Sequence, residues 1–154
     1  MFYSDAAVVS LLGPQVTRAV RLGTREAFQA LQRWRQVFSA GLHASTGSWV
    51  LDHFDWHVLA ARYYPCLRGE RARREYLSQS ASSLLVRFEE DDAVYAVETA
   101  GVFEPASDGS LHDWYISESN YLWTYVITHE ESYGPYFARA MKLDDLASSS
   151  GLSD

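Results

Sequence analysis

The clearest periodic pattern of apolar residues lies between residues 24 and 42. Apolar side chains recur there at steps of three and four residues: Phe28, Leu31, Trp34, Phe38 and Leu42. This spacing places them on one side of an α-helix. Thr24 is suited to cap the start of that helix and Glu26 to its first turn, where the helix dipole favours an acid. The pattern predicts an amphipathic helix that ends near Gly41.

Three shorter segments also carry helix signals. Gly13-Pro14 is predicted to open a short helix that ends at Gly23, and Gly134-Pro135 a terminal helix through Met141, because proline is favoured at the first helical position. Residues 70–78 place acidic and basic side chains three and four positions apart, which is typical of one exposed helix face. The segment 52–64 fits a helix or a strand, and its stop at Pro65 favours a strand.

Alternation of apolar and polar residues predicts a sheet in the second half of the chain. Residues 84–88 and 93–98 form the two strands of a hairpin around the acidic turn 89–92. Residues 113–117 and 121–129 are two further strands. The predicted fold is a single α+β domain over residues 1–146, with a mostly antiparallel sheet packed by the N-terminal amphipathic helix and shorter helices. Residues 147–154 are predicted to be a flexible tail.

Charge is divided unevenly along the 154 residues. Residues 1–87 hold 11 arginines and 6 acids, whereas residues 88–154 hold 14 acids against Arg139 and Lys142. The second half is therefore expected to attract a basic protein and to repel nucleic acid. A role in solubility alone is the alternative explanation.

Cysteine content and hydropathy indicate the cellular compartment in which the protein is expected. Cys66 is the single cysteine, which excludes an intrachain disulfide, and its apolar setting predicts an inert thiol. The first twelve residues lack the basic start of a signal peptide, and no apolar run approaches the roughly 20 residues of a membrane helix. The sequence predicts a cytoplasmic protein without a membrane partner, and it leaves the oligomeric state open.

The densest group of candidate functional residues runs from Tyr121 to Phe137. Alternation places Tyr121, Trp123, Tyr125, Ile127 and His129 on one face of a strand. His129 with Glu130 or Glu131 could supply an acid–base pair or two metal ligands, and His112-Asp113 on the neighbouring strand could provide the third ligand. The alternative is that His129 only fixes the turn through a hydrogen bond.

A second group, His53, Asp55 and His57, has the spacing of a weak metal-binding candidate. The HExxH pattern is absent, as are G-x-S-x-G, the P-loop and G-x-G-x-x-G. No cofactor is predicted. The lack of a complete catalytic motif favours binding over catalysis without excluding an enzyme.

Three pieces of the chain resemble a bacterial family named as domain of unknown function 4275. They are the Trp34…Phe38 helix, the run from Trp56-His57 to the helix start at residues 69–72, and the segment from Trp123 to Phe137. The last piece is the most specific, because a strand ending Thr-His-Glu is closed by Gly-Pro-Tyr-Phe. The resemblance implies a compact α+β domain and no defined activity. It covers roughly residues 30–138 and draws attention to Trp123, Thr128, His129, Glu130 and Gly134-Pro135.

Together these features predict a protein-binding module of the immunity or antitoxin type, which neutralises a basic toxin through an acidic and aromatic surface. The predicted contact residues are the acids and aromatic residues of the second half: Glu89, Glu90, Asp91, Asp92, Trp114, Tyr121, Glu130, Glu131 and Tyr133. The alternative is a small hydrolase or nuclease-like effector that uses His129, Glu130, Glu131 and His112.

Overall fold

A computed structural model describes residues 10, 12–51, 53–89, 93–104, 113–129 and 134–141, and the structural account is confined to them. Its seven strands form one antiparallel sheet in the order β1-β4-β3-β5-β6-β7-β2. They are β1 (Val16–Arg21), β2 (Leu67–Arg68), β3 (Ser83–Phe88), β4 (Ala93–Thr99), β5 (Trp114–Glu118), β6 (Trp123–Ile127) and β7 (Tyr136–Arg139). The predicted α+β fold with a mostly antiparallel sheet is confirmed.

Within the described residues, four helices cover the two faces of this sheet. They are α1 (Thr24–Phe38), α2 (Ala40–Thr46), α3 (His57–Ala60) and α4 (Gly69–Leu77). The first three pack on one face, here called the three-helix face, around Trp34, Phe38 and Val126. Helix α4 packs on the other face, here called the α4 face, where Tyr76 meets Tyr125. Each face buries its own apolar core, which is the main source of stability in such a layered fold. None of the helices in the described residues is long and apolar enough to cross a membrane.

The amphipathic pattern of residues 24–42 is confirmed in its second half. Trp34, Phe38 and Leu42 are buried on the three-helix face, although the helix breaks at Ser39 and Leu42 belongs to α2. Phe28, at the N-terminal half of the same stripe, leaves 57% of its surface exposed. The apolar stripe of α1 is therefore covered only where the helix crosses the centre of the sheet.

The helices predicted for the two segments that begin with Gly-Pro are wrong. The first segment, residues 13–23, contains strand β1, whose pairing with β4 continues to a bond from the Leu22 N–H to the Val94 carbonyl. The second, residues 134–141, contains β7, which pairs with both β6 and β2. In β7, Tyr136 packs on the three-helix face and Phe137 on the α4 face. A strand serves both cores here, whereas a helix would bury only one side.

The strand favoured for the segment 52–64 is also wrong. The regular part of this segment is the single-turn helix α3, which directs Val58 and Leu59 into the three-helix core. The chain then turns at Arg62, which has a positive φ of 64°. A short apolar run is compatible with a helix or a strand, and here the burial of Val58 and Leu59 against the sheet favours the helix.

The alternation predicted for residues 121–129 holds within β6 only. Trp123, Tyr125 and Ile127 belong to the core of the α4 face. Tyr121 precedes the strand with a φ of 60° and packs in the core of the three-helix face instead. His129 follows the strand, and its ring contacts aromatic residues of the three-helix layer. The strand has five residues, so the expected aromatic ladder is two residues shorter at each end.

The strand register brings several chain segments to one end of the sheet. Phe88 at the end of β3 pairs with Ala93 at the start of β4 and with Trp114 at the start of β5. Trp114 pairs in turn with Ile127 at the end of β6, and the neighbouring Val126 pairs with Tyr136 at the start of β7. This end, called the Asp113 end below, contains the candidate functional residues.

Candidate functional site

Asp113 is the acceptor around which the site is built. One of its carboxylate oxygens, Oδ1, accepts the backbone N–H of His129 at 2.7 Å and lies 2.7 Å from the Nδ1 atom of the same residue. The other, Oδ2, accepts the indole N–H of Trp56 at 3.0 Å. Asp113 is 2% exposed, so these contacts take the place of water around a buried carboxylate. The arrangement joins β5, the end of β6 and the residue that precedes α3.

Aromatic rings surround the His129 imidazole. The ring centroid of Phe54 lies 5.4 Å away and that of Trp56 lies 6.4 Å away. Trp56 also contacts His57 edge to face at 4.2 Å and stacks with Tyr136 at 6.3 Å. The His129 side chain remains 29% exposed. A carboxylate on Nδ1 favours the tautomer in which Nδ1 carries the proton and Nε2 the lone pair.

A second polar cluster, called the ionic network, lies beside the first. Arg87 on β3 contacts Asp55 at 3.1 Å and Glu89 at 2.8 Å. Asp55 also binds Arg35 of α1 at 2.8 Å. The Tyr115 hydroxyl donates to Glu89 at 2.8 Å, and its ring lies 3.9 Å below the Arg87 guanidinium. Two arginines therefore balance two carboxylates between the helices and the sheet.

Burial and neighbouring charges together shift the pKa values of the groups in the ionic network. Burial opposes the charge of Arg87, but attraction to Asp55 and Glu89 raises the pKa of the guanidinium above its ordinary value. Burial raises the pKa of Glu89, while the charge of Arg87 acts in the opposite direction. Burial also raises the pKa of Tyr115 well above 10.0, so its hydroxyl stays protonated as a donor.

Three predicted contact residues lie in the interior instead of on the surface. Trp114 is 3% exposed and packs against Phe88, and Tyr121 is 7% exposed and donates its hydroxyl proton to the Ala30 carbonyl. Glu89 is part of the ionic network. Their contacts replace the predicted surface role with a structural one. The remaining predicted residues lie outside the described part of the chain: Glu90, Asp91, Asp92, His112, Glu130, Glu131 and Tyr133.

The metal site suggested by His53, Asp55 and His57 does not form. Asp55 is buried against two arginines, which occupy the oxygens that a cation would need. The Nδ1 atom of His57 lies 2.9 Å from the Leu51 carbonyl. Within the described ranges no three histidine, cysteine, aspartate or glutamate side chains group as a metal site would require. Burial also raises the pKa of the Cys66 thiol, which disfavours a reactive thiolate there.

The sequence signals for parts of this site are present but weak. The sequence suggests Asp113 only together with His112, as a possible third group beside His129 and Glu130 or Glu131. The structure instead makes Asp113 the direct partner of His129. Trp56 stands out only as part of the family resemblance, although a buried indole N–H usually needs an acceptor. Arg87 stands inside an apolar strand, where a buried cation requires paired acids. Those acids, Asp55 and Glu89, are distant in sequence from one another.

A family model for a domain of unknown function, number 4275, matches residues 17–137. The chain belongs to this family. No curated protein and no solved structure matches the chain.

Two of the three segments that carry the resemblance to the domain 4275 family, the one that begins at Trp56 and the one that ends at Phe137, meet at the Asp113 end. Trp56 and His129 both bind Asp113, and Tyr136 of the Gly-Pro-Tyr-Phe run stacks on Trp56. Residues far apart in the sequence therefore form one cluster. This convergence makes the Asp113 end the first place to look for the function of the chain.

Proposed function

We propose that this protein is a cytoplasmic protein-binding module of the immunity or antitoxin type, which neutralises a basic partner toxin through the Asp113 end of the sheet. The observation that carries the proposal is the strand register. The strand ends that flank residues 90–92 and residues 130–133 both lie at this end. Those two segments hold Glu90, Asp91, Asp92, Glu130 and Glu131.

Charge balance supports a basic partner. At this end, Asp55 and Glu89 are already matched by Arg35 and Arg87. The five acids of the two connecting segments contribute to the net charge of −7 that the chain carries. A concentrated negative potential raises the rate at which a basic protein associates, as it does when an acidic inhibitor meets a basic nuclease.

The test replaces those five acids by their amides: Glu90→Gln, Asp91→Asn, Asp92→Asn, Glu130→Gln and Glu131→Gln. Affinity purification from the native host identifies the partner, and surface plasmon resonance then measures its association with each variant. The association rate should fall at least about tenfold at low salt, and its dependence on ionic strength should weaken. Growth protection against the partner should fall in parallel.

Matched controls carry the same chemical change elsewhere on the surface. Glu70→Gln and Glu98→Gln remove exposed acids of α4 and β4. These variants should keep the association rate within about twofold. Equal rates for the five-amide variant and the controls would refute binding through this end.

A second candidate function is a small hydrolase or nuclease-like effector in which His129 acts as general base. The observation that favours it is the 2.7 Å contact between Asp113 and His129 Nδ1, since a carboxylate orients the base in this way in many hydrolases. Glu130 and Glu131 would supply further acid–base groups beside it.

Its test compares hydrolysis of p-nitrophenyl esters and of bis-p-nitrophenyl phosphate by the wild type and by His129→Gln and Asp113→Asn. A general base contributes about 100-fold to 10,000-fold in rate, so His129→Gln should remove nearly all turnover. Urea unfolding of each variant separates lost activity from lost folding. Turnover that survives in His129→Gln rules out this second candidate.

A further inference from the structure

In the described residues, the Asp113 cluster holds a buried carboxylate without an arginine or lysine to balance its charge. The Asp113 oxygens contact the backbone N–H and Nδ1 of His129 and the indole N–H of Trp56. No arginine or lysine of the described ranges joins these contacts. The neighbouring ionic network, in contrast, holds two arginines for two acids. A buried charge is costly without an opposite charge, so the Asp113 cluster is suited to accept a cation.

His129 connects this carboxylate with the surface. Trp56 is 2% exposed, whereas the His129 side chain is 29% exposed. Because the carboxylate contacts Nδ1, the neutral imidazole carries its lone pair on Nε2, on the far side of the ring. A carboxylate on one ring nitrogen also makes the other nitrogen a stronger acceptor. A cation that donates an N–H to Nε2 is therefore attracted by the charge of Asp113 through the imidazole.

The rings around His129 favour a planar cation. The half-buried Phe54 ring lies 5.4 Å from the His129 ring and 5.3 Å from the His57 ring. Nδ1 of His57 contacts the Leu51 carbonyl, which can only accept, so the neutral His57 ring also keeps its acceptor on Nε2. A guanidinium stacks on aromatic rings and donates several N–H groups in one plane, whereas the lysine ammonium is compact and strongly hydrated. This chemistry favours arginine over lysine.

A metal ion matches the described residues less well than an arginine does. Metal sites that keep an open position commonly use three protein ligands. No group of three candidate ligands forms within the described ranges. A guanidinium needs only an acceptor nitrogen and an aromatic ring, and His129 and Phe54 provide both.

We infer that this cluster is the subsite for one arginine of the basic partner, whose guanidinium donates to Nε2 of His129 and packs against the Phe54 ring. The inference rests on the proposed function and names the residue type that the partner must present. Charges at the rim of an interface mainly set the association rate, whereas a hydrogen-bonded charge in a partly buried site mainly slows dissociation. The subsite is therefore expected to determine the lifetime of the complex.

Three capped tripeptides test the subsite without the partner. Each has glycine at both ends and arginine, citrulline or lysine in the centre, and citrulline has the shape of arginine without its charge. They are titrated into ¹⁵N-labelled full-length protein and followed by NMR. The arginine peptide should bind at least about tenfold more tightly than the citrulline peptide, because a hydrogen bond to a charged group contributes about that much or more. It should also bind more tightly than the lysine peptide, and it should shift the Nε2 signal of His129.

Two variants remove the two parts of the subsite separately. Asp113→Asn removes the charge with little change of shape, and His129→Phe removes the acceptor but keeps a ring. Either variant should reduce the preference for arginine over citrulline to within about twofold. Glu70→Gln and His43→Phe are the matched controls, because Glu70 is an exposed acid of α4 and His43 stacks on Trp49. Both controls should bind the peptides as the wild type does, and urea unfolding checks that every variant is folded.

The outcomes separate this inference from the proposed function. Equal affinities for the arginine and citrulline peptides, or no binding of either at millimolar concentration, would overturn the subsite. An arginine preference that His129→Phe leaves intact would overturn it as well. If His129→Phe abolishes the preference while the five-amide variant associates with the partner at the wild-type rate, the subsite stands and the electrostatic proposal fails. If the five-amide variant associates slowly but the wild type shows no arginine preference, the proposed function stands and the subsite fails.

Discussion

Two polar clusters lie side by side at the Asp113 end, and they differ in how completely their charges are paired. In the ionic network, Arg87 and Arg35 face Asp55 and Glu89, and the Arg87 side chain is buried. In the other cluster, Asp113 binds Trp56 and His129, and the imidazole remains 29% exposed. Both clusters connect the three-helix layer to the sheet.

This difference in pairing and exposure indicates that the ionic network has a structural role, whereas the Asp113 cluster can bind another molecule. A balanced and buried set of charges is costly to disturb and offers no group to a partner. A half-buried imidazole that a carboxylate orients is able to contact a ligand while its own position stays fixed. Removing a cation from the ionic network should therefore reduce stability, whereas changes at His129 should act mainly on binding or chemistry.

The largest effect is expected for Arg87→Met. The variant leaves Glu89 without its cation in the interior and removes one of the two arginines that bind Asp55, so the free energy of unfolding should fall by about 3–5 kcal/mol. Urea denaturation followed by circular dichroism measures the change. Arg73→Met is the control, because Arg73 pairs with Glu70 and Glu104 on the surface. It should cost far less stability, because exposed ion pairs contribute little in water, and similar losses for both variants would contradict the proposed role of burial.

A smaller loss is expected when Asp113 is replaced. Asp113→Ala leaves the indole N–H of Trp56 and the backbone N–H of His129 without their acceptor. Each buried donor left unpaired costs about 1–3 kcal/mol, so a total of about 3 kcal/mol is expected. His129→Ala removes only the exposed partner and should cost about 1 kcal/mol. Equal losses in thermal unfolding would show that the carboxylate is not the centre of this cluster.

Gly134, in the connection from His129 to β7, should be the next most sensitive position. It has a φ of 99°, and an added Cβ would lie 3.0 Å from the Tyr136 ring. Gly134→Ala should therefore destabilise the chain by about 1–3 kcal/mol. Gly101→Ala is the matched change, because a Cβ at Gly101 would meet no atom within 4 Å. Differential scanning calorimetry should show a lower Tm for Gly134→Ala only.

Much of the fold could be predicted because local patterns and tertiary packing agree. The hairpin β3–β4, strands β5 and β6 and helix α4 form in the segments that their alternation or spacing predicts. The wrong predictions concern segments whose local sequence is compatible with both a helix and a strand. Gly-Pro starts helices, but at Gly13 and Gly134 it leads into strands that pair with partners distant in the sequence. Only those long-range pairs decide the outcome.

The candidate site is harder to predict because its members are distant in sequence. In the sequence His129 stands out beside Glu130 and Glu131, its neighbours in the chain, whereas the structure pairs it with Asp113, 16 positions earlier. Trp56 reaches the same carboxylate across 57 positions. Contacts over such separations depend on strand register, and register depends on the pairing of the whole sheet. The sequence could therefore indicate the candidate histidine but not its partner.

The smallest effect concerns Glu89 and depends on pH. Burial raises the pKa of this carboxyl above its ordinary value of 4.5, so the folded chain holds the proton more tightly than the unfolded chain does. The stabilisation from this group is therefore fully present below the ordinary pKa and is lost as pH rises through the folded pKa. Glu89→Gln resembles the neutral form and keeps an oxygen to accept the Asp55 N–H and the Tyr115 hydroxyl.

At about pH 7.5 this variant should therefore be at least as stable as the wild type, and its advantage should be smaller at about pH 5, because more of the Glu89 carboxyl is protonated at the lower pH. Urea unfolding at these two pH values measures the difference in free energy of unfolding between the variant and the wild type. The other titrating groups are the same in both proteins, so their contributions cancel in this difference. A Glu89→Gln variant that is much less stable at the higher pH, and that recovers at the lower one, would show that the ion pair with Arg87 outweighs burial. The ionic network would then resemble an ordinary stabilising salt bridge, and its contrast with the Asp113 cluster would rest on exposure alone.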